Sequence, residues 1–142
     1  MSNYYATARS NYFAVKDEQA FREWADRLGL TVLEPDPGNE TADGVRRFGI
    51  ASGSDGDSGS WPDSTYDEDA DEVNEMDLTE QLAPHLADDE VAVLMEVGHE
   101  NLRYVAGTAV AVNNRGETVS IDLDGIYHAA RNLGPNITLA EY

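Results

Sequence analysis

VAVLMEV (91–97), GHEN (98–101), LRYVAGTAVAV (102–112), NNRG (113–116) and ETVSIDL (117–123) follow one another without a break, and this run decides the fold. The first segment is apolar and alternates in part, GHEN is a turn, and LRYVAGTAVAV is a long strand with a candidate bulge at Gly107. NNRG is a strong hairpin signal, because Asn and Gly tolerate the positive φ that tight turns need. ETVSIDL returns with alternation through Val119, Ile121 and Leu123. The reading is a three-stranded antiparallel meander.

Downstream, Asp124 is placed to cap a last helix, GIYHAARNL, which Gly134-Pro135 ends. Upstream, Asp77-Leu-Thr-Glu80 has the form of a capping box, and Leu78, Leu82 and Leu86 give its helix an apolar stripe that Pro84 must kink or end. Further back, Phe21, Trp24, Ala25 and Leu28 recur at i, i+3, i+4 and i+7 behind a capping Asp17, with Gly29 at the C-terminal cap. Residues 7–15, Leu30–Glu34 and Val45–Ala51 read as strands, the last two pairing with each other across the loop 35–44.

Residues 52–75, SGSDGDSGSWPDSTYDEDADEVNE, are low in complexity and read as a flexible acidic Gly/Ser/Asp-rich insertion, its second half extended and solvated. Trp61 and Tyr66 interrupt it as anchors to the core. The expected fold class is α+β: one domain over 1–142, a mostly antiparallel sheet with a C-terminal three-stranded meander, helices on one face, and the acidic loop as an insertion.

Charge dominates the composition. There are 28 Asp and Glu against 9 Lys and Arg, a net charge of −19, with Lys16 the sole lysine. From Phe48 to Leu102 there is no Lys or Arg, and those 55 residues carry 16 carboxylates. Such a field repels nucleic acid and anionic membranes and attracts basic surfaces. The expected partner is therefore a basic protein surface, with no direct nucleic acid and no membrane. The absence of cysteine excludes disulfides, thiolate metal sites and cysteine nucleophiles. The opening MSNYYATARSNYF lacks a basic segment followed by an apolar one, and the longest apolar run, Val91–Met95, falls far short of the ~20 residues that span a bilayer. A cytoplasmic location is expected, and the sequons at Asn39 and Asn136 read as accidental.

Chemical motifs fail one by one. From Asp55, the fifth, sixth and twelfth positions of a calcium loop fall on Gly59, Ser60 and Tyr66; from Asp67, the sixth and twelfth fall on Glu72 and Leu78. His85, His99 and His128 lie in three separate elements and form no metal-binding spacing. Gly53, Gly56 and Gly59 match neither a phosphate loop nor a dinucleotide fingerprint, and the neighbouring Asp residues would repel phosphate. There is no G-x-S-x-G elbow. Glu96 stands between apolar neighbours and reads as the outward face of a half-buried strand. In the N-terminal cluster, alternation puts Arg9, Asn11 and Phe13 on one face and Tyr12 on the other, with Phe13 and Tyr12 read as core aromatics. No enzyme, cofactor or metal is expected.

The opening Y-Y-A-T-A-R-S-N-Y-F-x-V-K-D, the later W-P…Y-D-E-D and the run E-V-A-V-L-M-E-V-G-x-E-x-L-R-Y resemble small acidic proteins carried by phages and plasmids, over most of the chain. The resemblance implies a mobile-element setting in which such proteins counter host defence, and supplies no catalytic residues. The sequence-level expectation is a non-enzymatic acidic binding protein, a nucleic-acid mimic or anti-defence inhibitor. Its contact residues would be Asp63, Asp67, Glu68, Asp69, Asp71, Glu72 and Glu75, with Trp61 and Tyr66 as anchors. A halophile-adapted protein of other role, or an immunity protein or antitoxin, are the alternatives.

Overall fold

The computed structural model describes residues 4–36, 43–53, 59–100 and 103–140, and only the backbone of Tyr4, Tyr66 and Tyr104. Helix α1 (Glu18–Arg27) starts where Asp17 accepts a hydrogen bond from the Ala20 amide at 3.1 Å. It ends in a Schellman turn: Gly29 adopts φ +73°, its amide donates to Asp26 O, and the Leu30 amide donates to Ala25 O. The i, i+3, i+4 stripe of Phe21, Trp24 and Ala25 is buried.

That stripe packs on a six-stranded sheet made of β1 (Tyr4–Ser10), β2 (Thr31–Leu33), β3 (Gly49–Ala51), β6 (Val91–Glu100), β7 (Tyr104–Asn113) and β8 (Thr118–Asp122). Their order is β2-β3-β1-β6-β7-β8, every neighbouring pair antiparallel. A separate hairpin, β4 (Ser64–Asp67) and β5 (Glu72–Glu75), precedes helix α2 (Leu78–Leu82). Asp77 caps α2 through the Thr79 amide and hydroxyl, and at Pro84 the helix tightens into the 3₁₀ turn Ala83–His85. Helix α3 (Ile126–Ala130) is the last element among the described residues. The α+β class with a mostly antiparallel sheet is thus the architecture of the protein.

The core lies between the sheet and α1 and α2. Phe21 meets Phe13 edge-on at 5.7 Å and lies 6.2 Å from Phe48, while Leu82, Leu86, Ile50, Ala92, Leu94 and Val112 close around them. Arg22 and Arg46 lay their guanidinium groups over the outer side of Phe48 at 5.1 and 4.9 Å, and both pair with Glu18 and Glu34.

Several local expectations are corrected. The first strand stops at Ser10 because the Asn11 side chain takes over the ladder: Nδ2 donates to Val91 O at 3.1 Å and Oδ1 accepts from the Val93 amide at 2.8 Å. The chain then turns inward, so Phe13 enters the core and does not share a face with Arg9 and Asn11. A Cβ on Gly49 would lie 2.8 Å from Asn11 O, so only glycine fits beside that turn. The strand expected over 45–51 shrinks to Gly49–Ala51, but it pairs with β2 as read. β6 runs on to Glu100, two residues beyond the expected start of the turn. Gly107 is not bulged: the β6–β7 register is continuous through Val97↔Gly107. The last turn is capped by Asp122, whose carboxylate accepts from the Gly125 amide at 2.8 Å, and not by Asp124.

One carboxylate ties the sheet margin together. Glu90 Oε1 accepts from the Ala14 amide at 2.7 Å and from Arg47 Nε at 2.9 Å, and Arg47 is also held by Asp43. The Arg47 hydrogen bond, aided by that amide, holds the Glu90 carboxyl below the usual range, and the Thr79 hydroxyl does the same for Asp77. A depressed carboxyl pKa contributes stability above its unfolded value and loses it as pH falls through the folded one. Thermal melts from pH 6 downward should therefore lose stability below about pH 4.3. Glu90→Gln should cost about 1–2 kcal/mol at neutral pH and flatten that acid limb.

Candidate functional site

The second half of the acidic segment is extended and exposed, as expected, but it folds back on itself as a hairpin where an open loop was expected. Ser64–Asp67 and Glu72–Glu75 pair in the register Ser64↔Glu75, Thr65↔Asn74, Tyr66↔Val73, Asp67↔Glu72. The turn is built by its own carboxylate: Asp67 Oδ1 accepts from the Asp69 and Ala70 amides at 3.0 and 3.3 Å, and Asp71 takes the left-handed conformation, φ 51°. The tip 67–72, Asp-Glu-Asp-Ala-Asp-Glu, therefore holds five carboxylates on six residues of a closed turn, all exposed. Asp67 and Glu72 stand directly opposite each other, a like-charge pair that costs stability in a strand pair.

The base of the hairpin is fastened to the core. The Met76 amide donates to Asp63 O at 2.8 Å, joining the two ends, and Met76 packs against the buried cluster. Trp61 is half-buried against the same cluster, and its amide donates to Glu96 Oε1 at 2.9 Å. Trp61 is thus the anchor that the sequence suggested. The Tyr66 side chain lies outside the described residues. Asp63, Asp67, Glu68, Asp69, Asp71, Glu72 and Glu75 are all exposed; five of these seven meet at the tip, while Asp63 and Glu75 sit at the base.

Glu96 corrects the sequence reading. It lies on the helix side of the sheet, in line with buried Ala92 and Leu94, and its carboxylate receives the Trp61 amide. Its role is to dock the segment leading into the hairpin. The histidines do not converge. His85 stacks on Trp24 at 5.1 Å, where burial and then Arg27 lower its pKa; His99 lies beside Tyr5 on β6; His128 is exposed on α3. Among the described residues no group of three or more His, Asp or Glu is placed to hold a metal ion. No helix among them is long and apolar enough to cross a membrane.

Sequence reasoning passed over one further surface. Along β6 the even residues Ala92 and Leu94 are buried, and the odd residues Val91, Met95 and Val97 are exposed. The signal was present: Val91–Met95 is apolar at every position, and a strand apolar on both faces is characteristic of one covered on both sides.

No family model, curated protein or solved structure matches this chain.

Removing the anchor should free the hairpin without unfolding the sheet. In Trp61→Ala, amide exchange in 64–75 should accelerate while the β6 and β7 amides keep their protection. Uniform loss of protection would show that Trp61 belongs to the global core.

Proposed function

We propose that the protein is a non-enzymatic acidic binding protein whose hairpin tip enters a basic cleft on a partner, in the manner of a nucleic-acid mimic. The observation that carries the reading is the tip itself: five carboxylates on six residues of a turn closed by Asp67 and fastened through Trp61 and Met76. A charged plug must hold its charges in place, because ordering a mobile segment on binding costs affinity. The narrowness of the finger favours a cleft that ordinarily receives a phosphate backbone, such as that of a nuclease or another nucleic-acid-handling enzyme. Complementary charge would speed the encounter. The resemblance to phage and plasmid proteins supports inhibition of a host defence enzyme in the cytoplasm as the setting.

The test is a pull-down from host lysate at low and moderate salt, with wild type beside a variant carrying Asp67→Asn, Glu68→Gln, Asp69→Asn, Asp71→Asn and Glu72→Gln. The reading expects a nucleic-acid-handling partner that duplex DNA displaces, that salt releases and that the neutralised tip fails to hold. A partner retained equally by the variant, or indifferent to salt, would sink it. Recovery of nothing at either salt, with a melting temperature that climbs steeply from dilute buffer to molar KCl, would make the acidity an adaptation to salt.

A further inference from the structure

The sheet face opposite α1 and α2 carries no carboxylate on any of the six strands, and at its β8 end Leu123 lies over Gly107. Its positions are Thr31 and Leu33; Gly49 and Ala51; Tyr5, Thr7 and Arg9; the odd residues of β6 and β7; and Val119 and Ile121, with Arg9 the one formal charge. The strand carboxylates Glu96, Glu100 and Asp122 all fall on the other face. In a chain of net charge −19 this neutral face is also apolar: Met95 is 54% exposed, Val97 58%, Val119 73% and Ile121 75%. A contiguous exposed patch of this kind marks an association surface.

We infer that this face is the interface of a homodimer. Its dimensions fit: the strands β1, β6, β7 and β8, of 7, 10, 10 and 5 residues at ~3.3 Å per residue and ~4.8 Å spacing, give roughly 500 Å² in projection. That approaches the ~800 Å² each partner contributes to a standard interface, before side-chain relief is counted. The companion must also be a constant one. All five residues of β8 are exposed, α3 buries none, and no described residue beyond Val112 is buried. A five-residue helix does not hold itself in water, and neither does an edge strand with little packing. The outer edge of β8 carries neither lysine nor proline, the usual guards against strand pairing. Permanent companions are most often a second copy related by a two-fold axis. Two copies repel everywhere else, so the neutral face is where they can meet. A basic partner would instead be drawn to the acidic surfaces.

Sedimentation and light scattering on the full chain at tens of micromolar, in dilute buffer and in molar KCl, test the inference. Twice the 15.5 kDa chain mass is expected, with dimerisation strengthened by salt. This sign is opposite to that expected for the hairpin partner, so failure of one proposal is distinguishable from failure of the other. Val119→Asp with Ile121→Asp should give a monomer with an unchanged circular dichroism spectrum, and Ser120→Asp, on the other face of the same strand, should remain dimeric. A monomer at every salt, or a dimer indifferent to the double substitution, overturns the inference. Should the double variant unfold, the cysteine-free chain offers a second reading. A spin label on Ser120→Cys, outside the face, should report a dipolar coupling between two copies, and its absence equally overturns the inference.

Discussion

A chain with 28 carboxylates and nine basic side chains folds only if it keeps nearly all of its negative charge in water, and every layer of this structure follows from that constraint. The helix–sheet core is closed by aromatic and aliphatic side chains, and the polar residues buried beside it, Ser10, Ser52 and Thr79, carry no charge. Three of the eight arginines stand where the chain has to bring acids together: Arg22 and Arg46 between Glu18 and Glu34, Arg47 between Asp43 and Glu90. Glu90 is the instructive case, because it is mostly shielded from solvent. An unpaired carboxylate there would be costly, and its pairing with Arg47 and the Ala14 amide converts that cost into a clamp between the start of β6 and the two segments beside it.

The remaining acids are displaced to the periphery, and the hairpin is the extreme of that displacement. Its register sets Asp67 against Glu72, and its turn places three more carboxylates between them. Local hydrogen bonds to Asp67 and the fastening by Trp61 and Met76 oppose the repulsion. A sequence under no demand to keep those charges together could relieve the strain with one lysine at the tip.

Elements whose signals are local were legible. Asp17, the Phe21–Trp24–Ala25 stripe and Gly29 specify α1 within a dozen residues, and Asn113 to Gly116 specify the β7–β8 turn. Elements that depend on distant partners were not. The inward turn after Ser10 needs the Asn11 side chain to find β6, eighty residues away, and Glu96 can face the helices because the Trp61 amide, 35 residues away, satisfies it there. The hairpin was hidden by composition: Gly, Ser and Asp weaken strand propensity, so β4 and β5 stand out only once Trp61 and Met76 fix their ends. Of the candidate site, the acidic residues and the Trp61 anchor were visible in the sequence; their convergence on a closed tip was not.

The division of the sheet into two faces bears on how charge and association coexist. Alternation has period two, so a single-residue slip of β6 would bring Glu96 and Glu100 onto the open face and Met95 and Val97 against the helices. The register is held against that slip from both ends: Asn11 grips Val91 and Val93 at one, and Tyr4↔Glu100 through Ser10↔Leu94 completes the ladder toward the other. At the far side, a Cβ on Gly107 would come within 2.9 Å of Leu123, so the glycine that read as a bulge is instead the seat of an apolar side chain crossing β7. The pairing that keeps carboxylates off the open face is therefore specified by side chains that carry no charge. This is how so acidic a chain retains one neutral surface.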